Sequence, residues 1–149
     1  TYSKFNSFKE SNIGIFFTDS KEKATGYASG DASKVMGVFL NIKNPLRVAC
    51  NGEEGLHLIQ NTTETPCLII LDINMPKMNG IEFLKIIKAD PNFKTIPVVI
   101  LTTSNDENDK FICYSYGAAG YIIKPIDYNE FQEAIRTFNN YWNINQFVS

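Results

Sequence analysis

The sequence predicts an α/β protein: a parallel sheet with helices on both faces. Three observations carry this. Short apolar runs alternate with longer amphipathic or polar stretches along most of the chain, the pattern of βαβ units. Two of those runs, residues 67–71 and 97–101, are continuously apolar, as strands covered on both faces are. Several runs also stop abruptly at a polar residue, as Leu71 does at Asp72 and Ile123 at Lys124.

Taken in order, residues 1–12 are a polar lead-in rich in Ser, Asn and Lys, and residues 13–17 are a first strand ended by Thr18, Asp19 and Ser20. Residues 21–42 carry a candidate helical stripe of Ala24, Tyr27, Ala28, Val35, Met36, Phe39 and Leu40. Gly26, Gly30 and Gly37 weaken that helix, and a break near Gly30 is expected. Residues 46–50 read as a strand, and Asn51-Gly52 turns into a helix from Glu53 to about Gln60. The buried strand 67–71 follows. Asn79-Gly80 then opens a helix with Ile81, Leu84 and Ile87 on one face, stopped by Asp90-Pro91-Asn92. Residues 97–101 are the next strand. A polar stretch, 104–109, leads a helix to about Tyr116, with Gly117 as its stop. Its acidic run, Asp106 to Asp109, suits a helix N-terminus. Residues 121–123 form the last strand. In the final helix Asp127 and Glu130 have capping-box spacing, and Phe131, Ile135, Phe138 and Trp142 recur on one face.

At 149 residues the chain is most simply one domain: a lead-in 1–12, a folded unit 13–142 that is atypical over 13–44, and a tail 143–149. A net charge of −2 gives no basic face for nucleic acid. No apolar run is long enough to span a membrane, and no secretory leader is visible. Cys50, Cys67 and Cys113 are odd in number and widely spaced, which argues for buried thiols in a reducing cytoplasm rather than disulfides or a zinc site. The single histidine, His57, reads as a helix-surface residue. It leaves a histidine metal site or a Ser-His nucleophile without a second member.

In an open parallel sheet the functional site lies beyond the carboxyl ends of the strands. Asp19, Asp72, Thr102 and Lys124 each follow an apolar strand run, so four polar groups from four strands are expected on one sheet edge. A carboxylate nucleophile can accept a phosphoryl group as an acyl phosphate. The two partners repel each other, and a hard divalent cation held by carboxylate and carbonyl oxygens removes that repulsion. An ammonium and a hydroxyl can hold the remaining phosphoryl oxygens. Asp72, Asp19, Lys124 and Thr102 make up such a set.

The stretches LIILDINMPKMNG, PVVILTTS and GAAGYIIKP, in that order, resemble the receiver domain of two-component response regulators, most closely from about Leu46 to Trp142. The single-domain, CheY-like kind is most similar, including regulators paired with bacterial phytochromes. The resemblance implies a flavodoxin-like sheet of five parallel strands in the order 2-1-3-4-5. It implies that Asp72 is the phosphoacceptor, charged by a sensor histidine kinase or a phosphotransfer protein. Mg would be held by Asp19, Asp72 and the backbone carbonyl of Asn74. Thr102 would bond the phosphoryl group and move toward it, Lys124 would pair with it, and the bond before Pro125 would be cis. Tyr121 would be the aromatic switch, the alternative being a core or rim tyrosine. Asn74 and Ser104 would flank the path of the hydrolytic water. Output would pass to a downstream protein or a second copy through the fourth predicted helix, the last strand and the last helix.

One feature departs from the family, which carries two adjacent acids after the first strand. Here Thr18 stands in the first place and Asp19 in the second; a solvated turn residue is the other reading of Asp19, and Asp31 would need a different first strand. Two further functions compete with phosphorylation-controlled signalling. One is a phosphorylation-independent pseudo-receiver that only binds a partner. The other is an aspartyl phosphatase, which would want a second acid where Asn74 stands and a cap domain to hold substrate, so a stand-alone enzyme is not expected.

Overall fold

The computed structural model describes residues 14–17, 47–63 and 65–144. Within them lie five strands: β1 (Gly14–Phe17), β2 (Arg47–Ala49), β3 (Leu68–Leu71), β4 (Val98–Thr102) and β5 (Gly120–Ile123). Every pairing is parallel, and the order is β2-β1-β3-β4-β5. This is the predicted 2-1-3-4-5 arrangement. The order reverses between β1 and β3, which opens a crevice at the carboxyl ends of those two strands.

Four helices connect or follow the strands: α1 (Gly52–Gln60), α2 (Gly80–Ala89), α3 (Glu107–Ser115) and α4 (Tyr128–Ile144). Each begins where a short polar side chain can satisfy free amides. Asn51 accepts from the Glu54 amide, Asp106 from Asn108, and Asp127 from Asn129 and Glu130. The reciprocal capping box forms at Asn79 and Glu82. At Asp127 and Glu130, where the spacing predicts it, only the Asp127 half is present among the described residues. Gly117, at φ 84°, ends the α3 region as expected.

Alternation along the central strands divides the core in two. Ile69, Leu71, Val98 and Ile100 face a layer with Ile59 of α1, Phe83, Leu84 and Ile87 of α2, and Cys113 of α3. Leu68, Ile70, Val99 and Leu101 face Ile135, Phe138 and Trp142 of α4. The stripe predicted for the last helix is therefore core, with Phe138 and Trp142 tilted against each other at 5.7 Å. Phe83 is fully buried in the first layer. Phe83→Ala is expected to cost about 3–5 kcal/mol, read as a lower urea midpoint with little change in slope.

The cysteines correct one expectation. Only Cys113 is buried, while Cys50 and Cys67 are half-buried, because both lie at strand ends rather than within the layers. Burial pushes the thiols of Cys67 and Cys113 up to about 11. At pH 8 these two are expected to react with a disulfide reagent much more slowly than a free cysteine in peptide, since only the thiolate attacks. Reaction of either at the free-thiol rate in the folded protein would contradict that burial. His57 is exposed on α1, as predicted. Among the described residues no helix is long and apolar enough to cross a membrane.

Candidate functional site

Three of the predicted site residues meet at one sheet edge. Leu71 is in register with Ile100, and Thr102 with Ile123. The residue after β3 is Asp72, the last residue of β4 is Thr102, and the residue after β5 is Lys124, so adjacent parallel strands deliver all three to their carboxyl ends. Asp72 and Thr102 are buried, at 3% and 0% exposure. A carboxylate so placed needs partners. Lys124 Nζ donates to Asp72 Oδ2 as an ion pair, and the Asn74 amide donates to Oδ1 at 3.2 Å. The Lys124 amide donates to the Thr102 carbonyl at 2.7 Å, which fixes the end of β5 beside β4.

The loop after Asp72 is folded back tightly on the strand end. The amides of Met75 and Gly80 both donate to the Ile73 carbonyl, at 3.1 and 3.0 Å. Lys77 takes a left-handed φ of 63° to complete the turn, at a cost of about 1 kcal/mol. Gly80 is required by close approach: a Cβ there would lie 2.1 Å from the Asp72 carbonyl oxygen. The loop is also tied to the α1 turn, where the Gly52 amide donates to the Met78 carbonyl at 3.1 Å and the Met78 side chain lies over Gly52. Met75 is buried and Met78 packs against the same layer, as loop-packing residues.

On the other side, Ser104 joins three elements. Its amide donates to Thr102 Oγ1 at 3.3 Å, its hydroxyl donates to Asp109 Oδ2 at 2.7 Å, and its carbonyl accepts from the Tyr121 hydroxyl at 3.0 Å. Tyr121 is half-buried and packs against the α1–α2–α3 layer. Burial, with the nearby Asp109 carboxylate acting in the same direction, raises its phenol above the ordinary range, so it remains a neutral donor.

Two sequence-based expectations end differently. The Lys124–Pro125 bond is trans, since no cis peptide occurs among the described residues. The two isomers before proline differ by only about 0.5–1 kcal/mol in favour of trans, and Lys124 reaches Asp72 from the trans backbone. Asp19, together with Thr18, Asp31 and residues 20–44, lies outside the described residues. β1 does end at Phe17, where the sequence predicts it.

The remaining oxygen donors fit a hard cation in kind. Asn74 is exposed, and among the described residues no group donates to its carbonyl. That carbonyl and the Asp72 carboxylate, two residues apart, are the oxygen types that such an ion takes. Among the described residues no cluster of three or more His, Cys, Asp or Glu side chains gathers, so a complete acidic site needs a carboxylate from elsewhere.

The family model of the response regulator receiver domain matches residues 31–136. The chain belongs to this family. It is a two-component receiver domain, of a family whose members are generally non-enzymatic signalling proteins. The match starts downstream of β1, although residues 14–17 form the strand that pairs between β2 and β3. Response regulator Rcp1 of Synechocystis sp. is 38% identical over 77 residues, 52% of this chain and 52% of that protein. The crystal structure of the phosphorylated cyanobacterial phytochrome response regulator RcpA superposes with a TM-score of 0.77 at 25% identity, covering 93% of this receiver domain and 99% of that chain. The Mn(2+)-bound form of Rcp1 superposes with the same score, identity and coverage. By sequence, the receiver domain spans about half the length of the curated relatives it matches.

The sequence did not point to two residues of this site. Gly80 was legible as a helix start but not as the residue under Asp72. Asp109 was legible as a helix-start acid but not as the acceptor of Ser104; its spacing, five residues after Ser104, is the only trace of that bond.

Proposed function

We propose that Asp72 of this receiver domain accepts a phosphoryl group in a Mg-dependent reaction, and that phosphorylation switches the surface it shows to a partner. The observation that carries the proposal is the buried Asp72 carboxylate, paired with Lys124 at the edge of the sheet where Thr102 ends the neighbouring strand. A carboxylate oxygen attacks phosphorus on a phosphohistidine of a sensor kinase or phosphotransfer protein. The P–O bond forms, the P–N bond breaks, and the leaving imidazole nitrogen takes up a proton. Lys124, which holds Asp72 at rest, then pairs with a phosphoryl oxygen, and the Thr102 hydroxyl donates to another. Asp72, the Asn74 carbonyl and Asp19 are the residues that would hold Mg, which supplies charge neutralisation between carboxylate and phosphoryl group. One structural neighbour, Rcp1, is known in a Mn(2+)-bound form, which supports a divalent cation in this role. Hydrolysis of the acyl phosphate, past Asn74 and Ser104, would return Asp72 to its resting state.

Movement of Thr102 toward the phosphoryl group draws on Ser104 and through it on Tyr121, the proposed aromatic switch. Output then passes through α3, β5 and α4, where Phe111, Ile123, Tyr141 and Ile144 are exposed, as is Ile126 in the connection from β5 to α4. The occupant is a downstream protein or a second copy. Exchange with a kinase and three widely spaced cysteines support a cytoplasmic setting for this work. A phosphorylation-independent binding module is the competing reading, favoured by Thr18 in the place of the family's first acid.

Treatment with acetyl phosphate and Mg²⁺, borohydride reduction of the acyl phosphate and peptide mapping tests the assignment. Reduction confined to Asp72 is expected. Reduction at another carboxylate, with Asp72 intact, would overturn it.

A further inference from the structure

We propose that Asp109 is a positioning residue for this reaction, a latch that holds Thr102 in its resting place through Ser104; this rests on Asp72 being the phosphoacceptor. Thr102 is fully buried and Ser104 is two residues further on, its amide bonded to the Thr102 hydroxyl oxygen. That bond couples a turn of Thr102 toward Asp72 to movement of Ser104. Ser104 is anchored by its hydroxyl to the Asp109 carboxylate at 2.7 Å and by its carbonyl to the Tyr121 hydroxyl at 3.0 Å. The Asp106 amide also points to the Ser104 hydroxyl, at 3.4 Å. Of these anchors the one to Asp109 has a charged acceptor, and such bonds are about twice as strong as neutral ones. Asp109 itself is held in the first turn of α3, whose amides and dipole favour an acid there. The latch therefore links the helix of the output face directly to the residue that senses the phosphoryl group. Thr102 moves only when the Ser104–Asp109 bond breaks, and that break releases the start of α3 at the same time.

The consequence is that removing the carboxylate favours the phosphorylation-ready arrangement. Asp109→Ala is expected to raise the hydrogen-exchange rate of the Ser104 amide in the unphosphorylated full chain about tenfold, the effect of losing a bond to a charged acceptor. It is expected to raise the rate of labelling by acetyl phosphate by a similar factor. The Ile70 amide in β3, remote from the latch, serves as the internal reference and keeps its exchange rate. Asp109→Asn retains an oxygen acceptor for the Ser104 hydroxyl but loses its charge, so it raises both rates by clearly less than Asp109→Ala does. Ser104→Ala speeds labelling as Asp109→Ala does, and the two together add nothing. Unchanged exchange at Ser104 in Asp109→Ala, or equal behaviour of the Ala and Asn variants, overturns the latch. Raised exchange with an unchanged labelling rate overturns its part in the reaction. Raised exchange in a chain that acetyl phosphate never labels leaves the latch standing and removes the phosphoacceptor reading instead.

Discussion

Gly80→Ala is expected to lower stability by about 3 kcal/mol, toward the upper end of what overpacking costs, and to slow labelling of Asp72. The added methyl would lie 2.1 Å from the Asp72 carbonyl oxygen and 2.9 Å from its carbonyl carbon and from Ile73 Cα. All three are backbone atoms, so no side chain can swing away. Relief requires the end of β3 to separate from the start of α2, and Asp72 moves with it. A drop in melting temperature of roughly 10 °C follows from that energy for a chain of this size. An unchanged midpoint would contradict the close approach of Gly80 to Asp72.

Lys124→Ala is expected to cost about 2–3 kcal/mol, although Lys124 is a loop residue. The Lys124 side chain is 23% exposed but its partner's carboxylate is only 4% exposed. Losing the ammonium leaves Asp72 with the Asn74 amide as its remaining partner among the described residues. A buried charge stripped of its counter-ion is costly, and the lysine's partial exposure keeps the loss below that of a fully buried pair. The second substitution decides the cause. In an Asp72→Asn background the same Lys124→Ala change should cost less than about 1 kcal/mol, since no buried charge is then left unpaired. Chemical denaturation of the four proteins gives the coupling energy directly. Equal costs in both backgrounds would mean that Lys124 stabilises the fold by something other than its pair with Asp72.

The sheet was legible because its strands are apolar runs with polar ends, and because α/β chains alternate them with helices. Residues 67–71 and 97–101 became β3 and β4 with bounds shifted by one residue. The helix starts followed from Asn51, Asn79, Asp106 and Asp127, whose side chains compete for free amides wherever a helix begins. Asp72, Thr102 and Lys124 were legible for a related reason: in a parallel sheet the residue at each strand's carboxyl end lands on one edge whatever the connections contain. What stayed hidden is non-local. The Gly80–Asp72 approach and the bonds of Ser104 to Asp109 and to Tyr121 depend on how two loops fold back, and no periodicity reports that. The bond before Pro125 is a balance of under about 1 kcal/mol, too fine for a motif to decide. The resemblance to receivers implied cis, and the structure has trans. Two of the three cysteines sit nearer the surface than their apolar surroundings in sequence implied, because a strand's end is less covered than its middle.

The most direct test of the central claim is intact mass after incubation with acetyl phosphate, with and without Mg²⁺, for the parent chain and Asp72→Asn. One added phosphoryl group is expected on the parent, dependent on Mg²⁺ and absent from Asp72→Asn, which would also show that a metal site with Thr18 beside Asp19 is sufficient. A parent chain that stays unmodified at every Mg²⁺ concentration would contradict it, and would leave a receiver fold that signals by binding alone.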